Sequence, residues 1–161
     1  MKNKVAILIS LIEKEWVVIE DLFDKLKATH KFLKVKDCNE KDVVHGAYIL
    51  HNLYCAYENI FKNIAVTFEN QIEDLSKYHL ELLKRMTLEI YKIRPRFLSD
   101  QSFNILDEIR KFRHLFRHAY DYELDREKIL SLINLTIKNS KHLNKDKDVF
   151  VDFLIDYIEK K

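Results

Sequence analysis

Glycine and proline are almost absent from this sequence, since each occurs once in 161 residues. Tight turns use both residues, so their scarcity argues against a fold rich in sheets and predicts long helices joined by short polar links. A single glycine also excludes a glycine-rich loop that cradles phosphate groups. The two cysteines are too few for a disulfide framework. Cys55 lies within an apolar helical pattern, which favours packing in the core over a reactive thiol.

Long apolar runs and a strong net charge are missing as well. No apolar run approaches the roughly 20 residues of a membrane-spanning helix. The apolar start "VAILISLIEKEW" continues into an amphipathic pattern and lacks a cleavage site of small residues. We therefore expect a cytoplasmic protein without a membrane partner. The formal net charge of +2 is too small to indicate nucleic-acid binding by itself.

The charge is distributed unevenly, however. Residues 84–118 contain nine Lys and Arg but only four Asp and Glu, whereas the rest of the chain is net negative. Such a concentration of cations favours a phosphate-bearing partner. A solvated basic helix face is an equally good explanation of the same pattern.

Apolar residues recur at three- and four-residue intervals along most of the chain, as they do on the buried face of a helix. These intervals predict six helices. Five of them cover residues 3–28, 42–68, 72–93, 126–141 and 146–159. The fourth in chain order begins at Ser99 or Asp100 and ends between residues 118 and 124. Residues that can cap helices precede the second and the fifth, namely Asp37, Asn39 or Asp42 and then Asp125. We therefore predict one all-α domain over residues 1–161, an antiparallel bundle of five to six helices.

The segment "RKFRHLFRHAYDYELD", residues 110–125, contains several cations and imidazoles interleaved with apolar residues. His114 and His118 are four residues apart, a spacing that can hold a divalent metal on one helix face. Their neighbours are Arg113 and Arg117 instead of carboxylates, and the sequence has no paired Glu-x-x-His repeats. We therefore predict no metal site. A Ser/His/Asp or Cys/His catalytic pattern is also lacking.

Cleavage of RNA without a metal suits these residue types better. Histidine exchanges protons near neutral pH, and arginine grips phosphate through a permanently charged, planar guanidinium. Arg113 and His118 are five residues apart, so a regular helix separates them by about 140° and about 7.5 Å. They converge only if the helix ends or bends nearby, or if a second subunit completes the site. A buried histidine with an arginine stem packed over aromatic rings fits the same spacing.

The segment "RHLFRHAY" also has the form R-x4-H-x-Y, with Arg113, His118 and Tyr120 at the fixed positions. This resembles the HepT-like ribonucleases, toxins of the HEPN superfamily. The likeness spans roughly 44–135 and includes "HNLYCAYENI" and "YHLELLKRM". The resemblance implies an endoribonuclease that needs neither metal nor cofactor and acts as a homodimer. Arg113 would hold the scissile phosphate, and His118 would be the general acid and base.

The resemblance further implies a partner, a nucleotidyltransferase antitoxin that adds AMP to the motif tyrosine, here Tyr120. AMP is bulky and anionic, so it would occupy a cationic groove and repel RNA. Tyr122 is a second possible acceptor or a packed aromatic residue. A non-catalytic helical module that binds a nucleotidyltransferase or a nucleotide remains the alternative.

Two residues of the second helix are candidates for supporting roles. His51 and Glu58 are seven residues apart, so they share one helix face. Glu58 either orients Arg113 or His118 through a charge-assisted hydrogen bond or only balances buried charge.

Three further residues are candidates for contacts with the RNA backbone, namely Arg110, His114 and Arg117. Solvated surface roles are the alternative for both arginines. For His114, as for His79, the sequence favours a structural role.

Overall fold

A computed structural model of the chain describes residues 1–35, 38–69, 78–118 and 124–160. These segments form five helices, α1 (Lys2–Leu33), α2 (Glu40–Phe68), α3 (Tyr78–Arg85), α4 (Asp100–His118) and α5 (Arg126–Glu159). The only β-type pairing within the described segments is an isolated bridge between Ile90 and Arg94. The predicted all-α fold is therefore confirmed. None of these five helices is long and apolar enough to cross a membrane.

Contacts between helix ends establish the antiparallel arrangement. The Lys2 ammonium donates to the Lys160 carbonyl at 2.6 Å, which places the start of α1 beside the end of α5. At the other end of the bundle, the Arg126 guanidinium donates to the Leu33 carbonyl. Gly46, near the start of α2, also lies against Leu33. Helix α1 therefore packs antiparallel to both α2 and α5.

The apolar stripe predicted for the first helix forms the centre of the core. All seven positions are buried, namely Val5, Leu8, Ile12, Trp16, Ile19, Phe23 and Leu26. Helix α1 continues beyond the predicted end and buries Leu33 as well. The next helix begins at a capping box, in which Asn39 accepts from the Lys41 amide at 3.1 Å and Asp42 accepts from the Asn39 amide at 3.3 Å. Asp37 lies outside the described residues.

The third helix ends earlier than the predicted residue 93. Helix α3 is described from Tyr78 to Arg85, and residues 70–77 lie outside the described part. The helix does not continue because the Met86 carbonyl accepts from the amides of Phe97 and Leu98, at 2.8 and 2.9 Å. The connection that follows is folded around the buried guanidinium of Arg94, which donates to the carbonyls of Arg85, Leu88 and Pro95. After Arg85, hydrogen bonds to residues more distant in sequence therefore take the place of the backbone hydrogen bonds of a helix.

The predicted fifth and sixth helices form one continuous helix, α5. The polar run at 142–147 contains no glycine or proline, so nothing in it interrupts the helix. Thr136, Leu143 and Phe150 are buried at seven-residue intervals, which continues one core stripe through that run. Asp146 caps a different helix, since its carboxylate accepts from the Ser99 amide and hydroxyl, both at 2.8 Å.

Candidate active site

Arg113 is held between two side chains of α2. Helix α4 runs antiparallel to α2, so that Phe116 faces His51 while Arg113 lies further along α2. The guanidinium carbon is 5.5 Å from the centroid of the Tyr54 ring, within range of a cation–π interaction. One guanidinium nitrogen, Nη2, is 4.0 Å from Oε2 of Glu58. The geometry therefore fixes the Arg113 cation at the α2–α4 contact.

The hydrogen-bonding capacity of Arg113 is incompletely used within the described part of the chain. Its side chain is 11% exposed, and its buried Nε has no acceptor among the described residues. The contact with Glu58 is an ion pair that is too long for a hydrogen bond. A guanidinium has five N–H donors in one plane, which suits it to a phosphate group.

Glu58 connects three helices through one carboxylate. Its side chain is only 4% exposed, and its Oε1 contacts Nδ1 of His79 in α3. Its Oε2 accepts from the ammonium group of Lys62 at 3.1 Å and faces Arg113 of α4. A buried carboxylate requires charge partners, because desolvation penalises an isolated ion. Glu58 therefore anchors α3 and α4 to α2.

His51 lies on the same face of α2 and also points toward α4. Its ring centroid is 5.8 Å from that of Phe116, and its Nε2 is 3.7 Å from Sγ of the half-buried Cys55. Burial lowers the pKa of His51, and the nearby cations of Arg113 and Arg117 lower it further. A neutral imidazole is therefore favoured beside the guanidinium.

The other cationic side chains of α4 differ in their surroundings. Arg110 is largely buried, and its Nε donates to Asp107 Oδ1 at 2.8 Å. Burial acts to raise the pKa of Asp107, but hydrogen bonds from Arg110 and Lys111 lower it overall. His114 and Arg117 lie on the exposed side of the helix. Of the three residues predicted to contact RNA, Arg110 is therefore engaged within the helix, and the other two face solvent.

The structure describes the side chain of only one member of the predicted catalytic pair. His118 is the last described residue of α4, but its side chain lies outside the described part, as do the whole of Tyr120 and Tyr122. The convergence of Arg113 with His118 therefore stays a prediction. Among the side chains that are described, no group of three or more His, Cys, Asp or Glu could hold a metal ion.

Two contacts of Glu58 and one of Arg113 were missed by the sequence reasoning. Tyr54 was not singled out from the sequence, although its position four residues before Glu58 places both on one helix face. Lys62, four residues after Glu58, gives the same signal. His79 lies 21 residues beyond Glu58 on another helix, and no periodicity relates the two. Only tertiary packing brings that histidine to the site.

The fold and this site define an all-helical protein in which an arginine near the end of one helix faces a buried carboxylate of another. Residues 46–154 match the family described as HepT-like protein, and the chain therefore belongs to the HepT-like family. The matched part begins at Gly46 in α2 and ends within α5, so it contains every residue of the site. No curated protein and no solved structure matches the chain.

Proposed function

We propose that this protein is a toxin that cleaves RNA as a metal-independent endoribonuclease. Membership in the HepT-like family supports this function, because proteins of that family are usually helical ribonucleases. The observation that carries the proposal is the position of Arg113, five residues before His118. It is a nearly buried cation whose Nε donor has no acceptor among the described residues. In the proposed homodimer, Arg113 and His118 of both protomers face one RNA cleft.

The proposed reaction uses the 2′-hydroxyl of the RNA as its nucleophile. The 2′-oxygen loses its proton and forms a bond to phosphorus, while the bond from phosphorus to the 5′-oxygen breaks and that oxygen gains a proton. The products are a 2′,3′-cyclic phosphate and a 5′-hydroxyl. Arg113 stabilises the negative charge that grows on the phosphoryl oxygens, and His118 transfers protons.

Regulation by a nucleotidyltransferase antitoxin is the second part of the proposal. The antitoxin would transfer AMP from a nucleoside triphosphate to the hydroxyl of Tyr120 and release pyrophosphate. Tyr120 follows His118 by two residues, so an attached AMP would lie near the cations of α4. Its phosphate would compete with RNA for these cations.

Cleavage of a labelled single-stranded RNA by the purified, unmodified chain tests the activity. We expect cleavage to persist in EDTA and to fall by at least about 100-fold in both Arg113→Ala and His118→Ala. Arg96→Ala is a matched control, because this arginine is exposed and its ion pair with Asp100 is long, at 3.9 Å. Urea unfolding of each variant establishes that the fold survives.

Three outcomes would contradict the proposal. Cleavage that chelation abolishes would point to a metal site that includes His114 and His118. Cleavage that survives both substitutions would remove Arg113 and His118 from the mechanism. If the unmodified chain binds a nucleotidyltransferase but cleaves no RNA, it is a non-catalytic helical module. Intact mass after coexpression with a nucleotidyltransferase, compared with Tyr120→Phe, tests the modification.

A further inference from the structure

We propose that His79 is a second proton-transfer residue of this active site, oriented by Glu58 as a histidine is oriented by the carboxylate of a catalytic triad. The inference rests on the proposed ribonuclease function and adds a residue to it. The sequence alone favoured a structural role for His79. The described structure instead places its imidazole on the same carboxylate that faces Arg113.

The contact between His79 and Glu58 orients the imidazole ring. We assign Nδ1 of His79 as the donor to Oε1 of Glu58, because an ionised carboxylate only accepts hydrogen bonds. In the neutral ring, Nε2 then carries the free lone pair. The His79 side chain is 39% exposed whereas Glu58 is 4% exposed. The arrangement is therefore a buried orienting carboxylate behind a histidine that a substrate can reach.

Charged and polar groups from two helices surround this pair. From α2, the Lys62 ammonium contacts the other oxygen of Glu58 and lies 5.6 Å from the ring centroid of Tyr78. From α4, Arg113 faces that same oxygen at 4.0 Å. The Tyr54 hydroxyl donates to the backbone carbonyl of His79 at 3.5 Å, which ties the start of α3 to α2. These contacts hold His79 and Arg113 on opposite oxygens of one carboxylate.

Transesterification of RNA needs two proton transfers, and one histidine on each side of the phosphate can perform both at once. Neutral His79 would accept the proton of the 2′-hydroxyl at Nε2. Protonated His118 would donate its proton to the departing 5′-oxygen. Arg113, which faces the same carboxylate as His79, would bind the phosphoryl oxygens. After product release, exchange of protons with water restores both histidines.

The decisive experiment compares His79→Asn with His79→Ala. The asparagine amide can replace the Nδ1–H donor to Glu58, but it cannot accept the substrate proton. We expect both variants to lose cleavage by about 100- to 10,000-fold, the usual contribution of a general acid or base. RNA affinity should change less than twofold. The acidic limb of the pH–rate profile, which reports deprotonation of the general base, should disappear in both variants. His142→Asn, a half-buried histidine of α5, is the matched control.

Recovery of nearly full cleavage in His79→Asn, together with loss in His79→Ala, would overturn the inference, because it would show a purely structural hydrogen bond. That result would leave the proposed function intact, since Arg113→Ala and His118→Ala would still be inactive. A native chain that cleaves no RNA would overturn both proposals.

A second readout does not depend on activity. Nitrogen NMR of the neutral imidazole of His79, followed across a pH titration, should show a protonated Nδ1 and an unprotonated Nε2. Glu58→Gln should shift the tautomer population, since the amide no longer requires a donor at that position. A proton on Nε2 in the neutral native ring would overturn the assignment of His79 as a base.

Discussion

At the scale of single residues, Arg94 is a fully buried cation on which we expect the stability of the fold to depend. Its side chain is fully buried, and its Nε donates to Glu69 at 3.0 Å. Removing Arg94 deprives the buried Glu69 carboxylate of its closer charge partner, since Arg85 is 3.5 Å away, and it deprives three backbone carbonyls of a donor. We therefore expect Arg94→Met to lower the free energy of unfolding by about 3–5 kcal/mol, measured by urea unfolding. Arg96→Met should change it by less than about 0.5 kcal/mol, because that side chain is 56% exposed. Equal losses in both variants would contradict this account.

His51 should make the folding stability depend on pH. Its pKa in the folded chain is lowered from 6.5 by burial and by Arg113 and Arg117. The unfolded chain therefore binds more protons below pH 6.5, and stability is fully present above that pH and lost as the pH falls through the folded-state pKa. We expect His51→Gln to lose less stability than the native chain when the pH falls from about 7.5 to about 5.

The measurement is the urea midpoint of both proteins across that pH range. Burial also lowers the pKa of His30, which acts in the same direction in both proteins. The difference between the two curves therefore isolates His51. Parallel curves would show that protonation of His51 is not linked to unfolding.

At the scale of the helices, Gly46 is the position where α1, α2 and α5 meet. A Cβ added there would lie 3.1 Å from Cδ1 of Ile133 and 3.3 Å from Cδ1 of Leu33. Alanine gains about 1 kcal/mol over glycine inside a helix. We expect this gain to be offset by the displaced Ile133 methyl, so that Gly46→Ala leaves the free energy of unfolding nearly unchanged.

The matched test removes that methyl group. Ile133→Val deletes Cδ1, so Gly46→Ala in the Ile133→Val background should stabilise by about 0.5–1 kcal/mol relative to Ile133→Val alone. The double-mutant cycle from four urea titrations measures this coupling. A cycle with zero interaction energy would show that Ile133 does not limit the space at Gly46.

Helix positions were predictable where local patterns decide them. The stripe of α1 follows from apolar spacing, and the caps at Asn39 and Asp125 follow from side chains that bond nearby amides. The predicted end of the third helix at residue 93 was wrong, because the Met86 carbonyl accepts from the distant amides of Phe97 and Leu98. The predicted break in α5 was wrong because polar residues without glycine or proline do not end a helix that still buries Leu143. At both places, tertiary contacts outweigh the secondary-structure preference of the local sequence.

At the scale of the whole molecule, the site combines residues from three helices. Arg113, Glu58 and His51 were identifiable from spacing and from the family resemblance. Their mutual distances were not, because they depend on how α4 packs against α2. His79 was out of reach for the same reason, since α3 brings it to Glu58 from a distant part of the sequence. A sequence pattern thus indicated the chemistry, while the packing of α2, α3 and α4 determined which groups can act together.

The concentration of cations in residues 84–118 should appear in the salt dependence of RNA binding. Each phosphate contact by a cation releases counterions and contributes about 0.7 to the slope of log affinity against log salt concentration for single strands. Arg117 lies on the exposed side of α4, so in a His118→Ala background we expect Arg117→Ala to reduce the slope by about that amount. Lys138→Ala, an exposed cation of α5, should leave the slope unchanged. Fluorescence anisotropy with a labelled RNA measures both slopes. Equal slopes for the two variants would place the RNA away from α4, because only a cation that contacts phosphate releases counterions on binding.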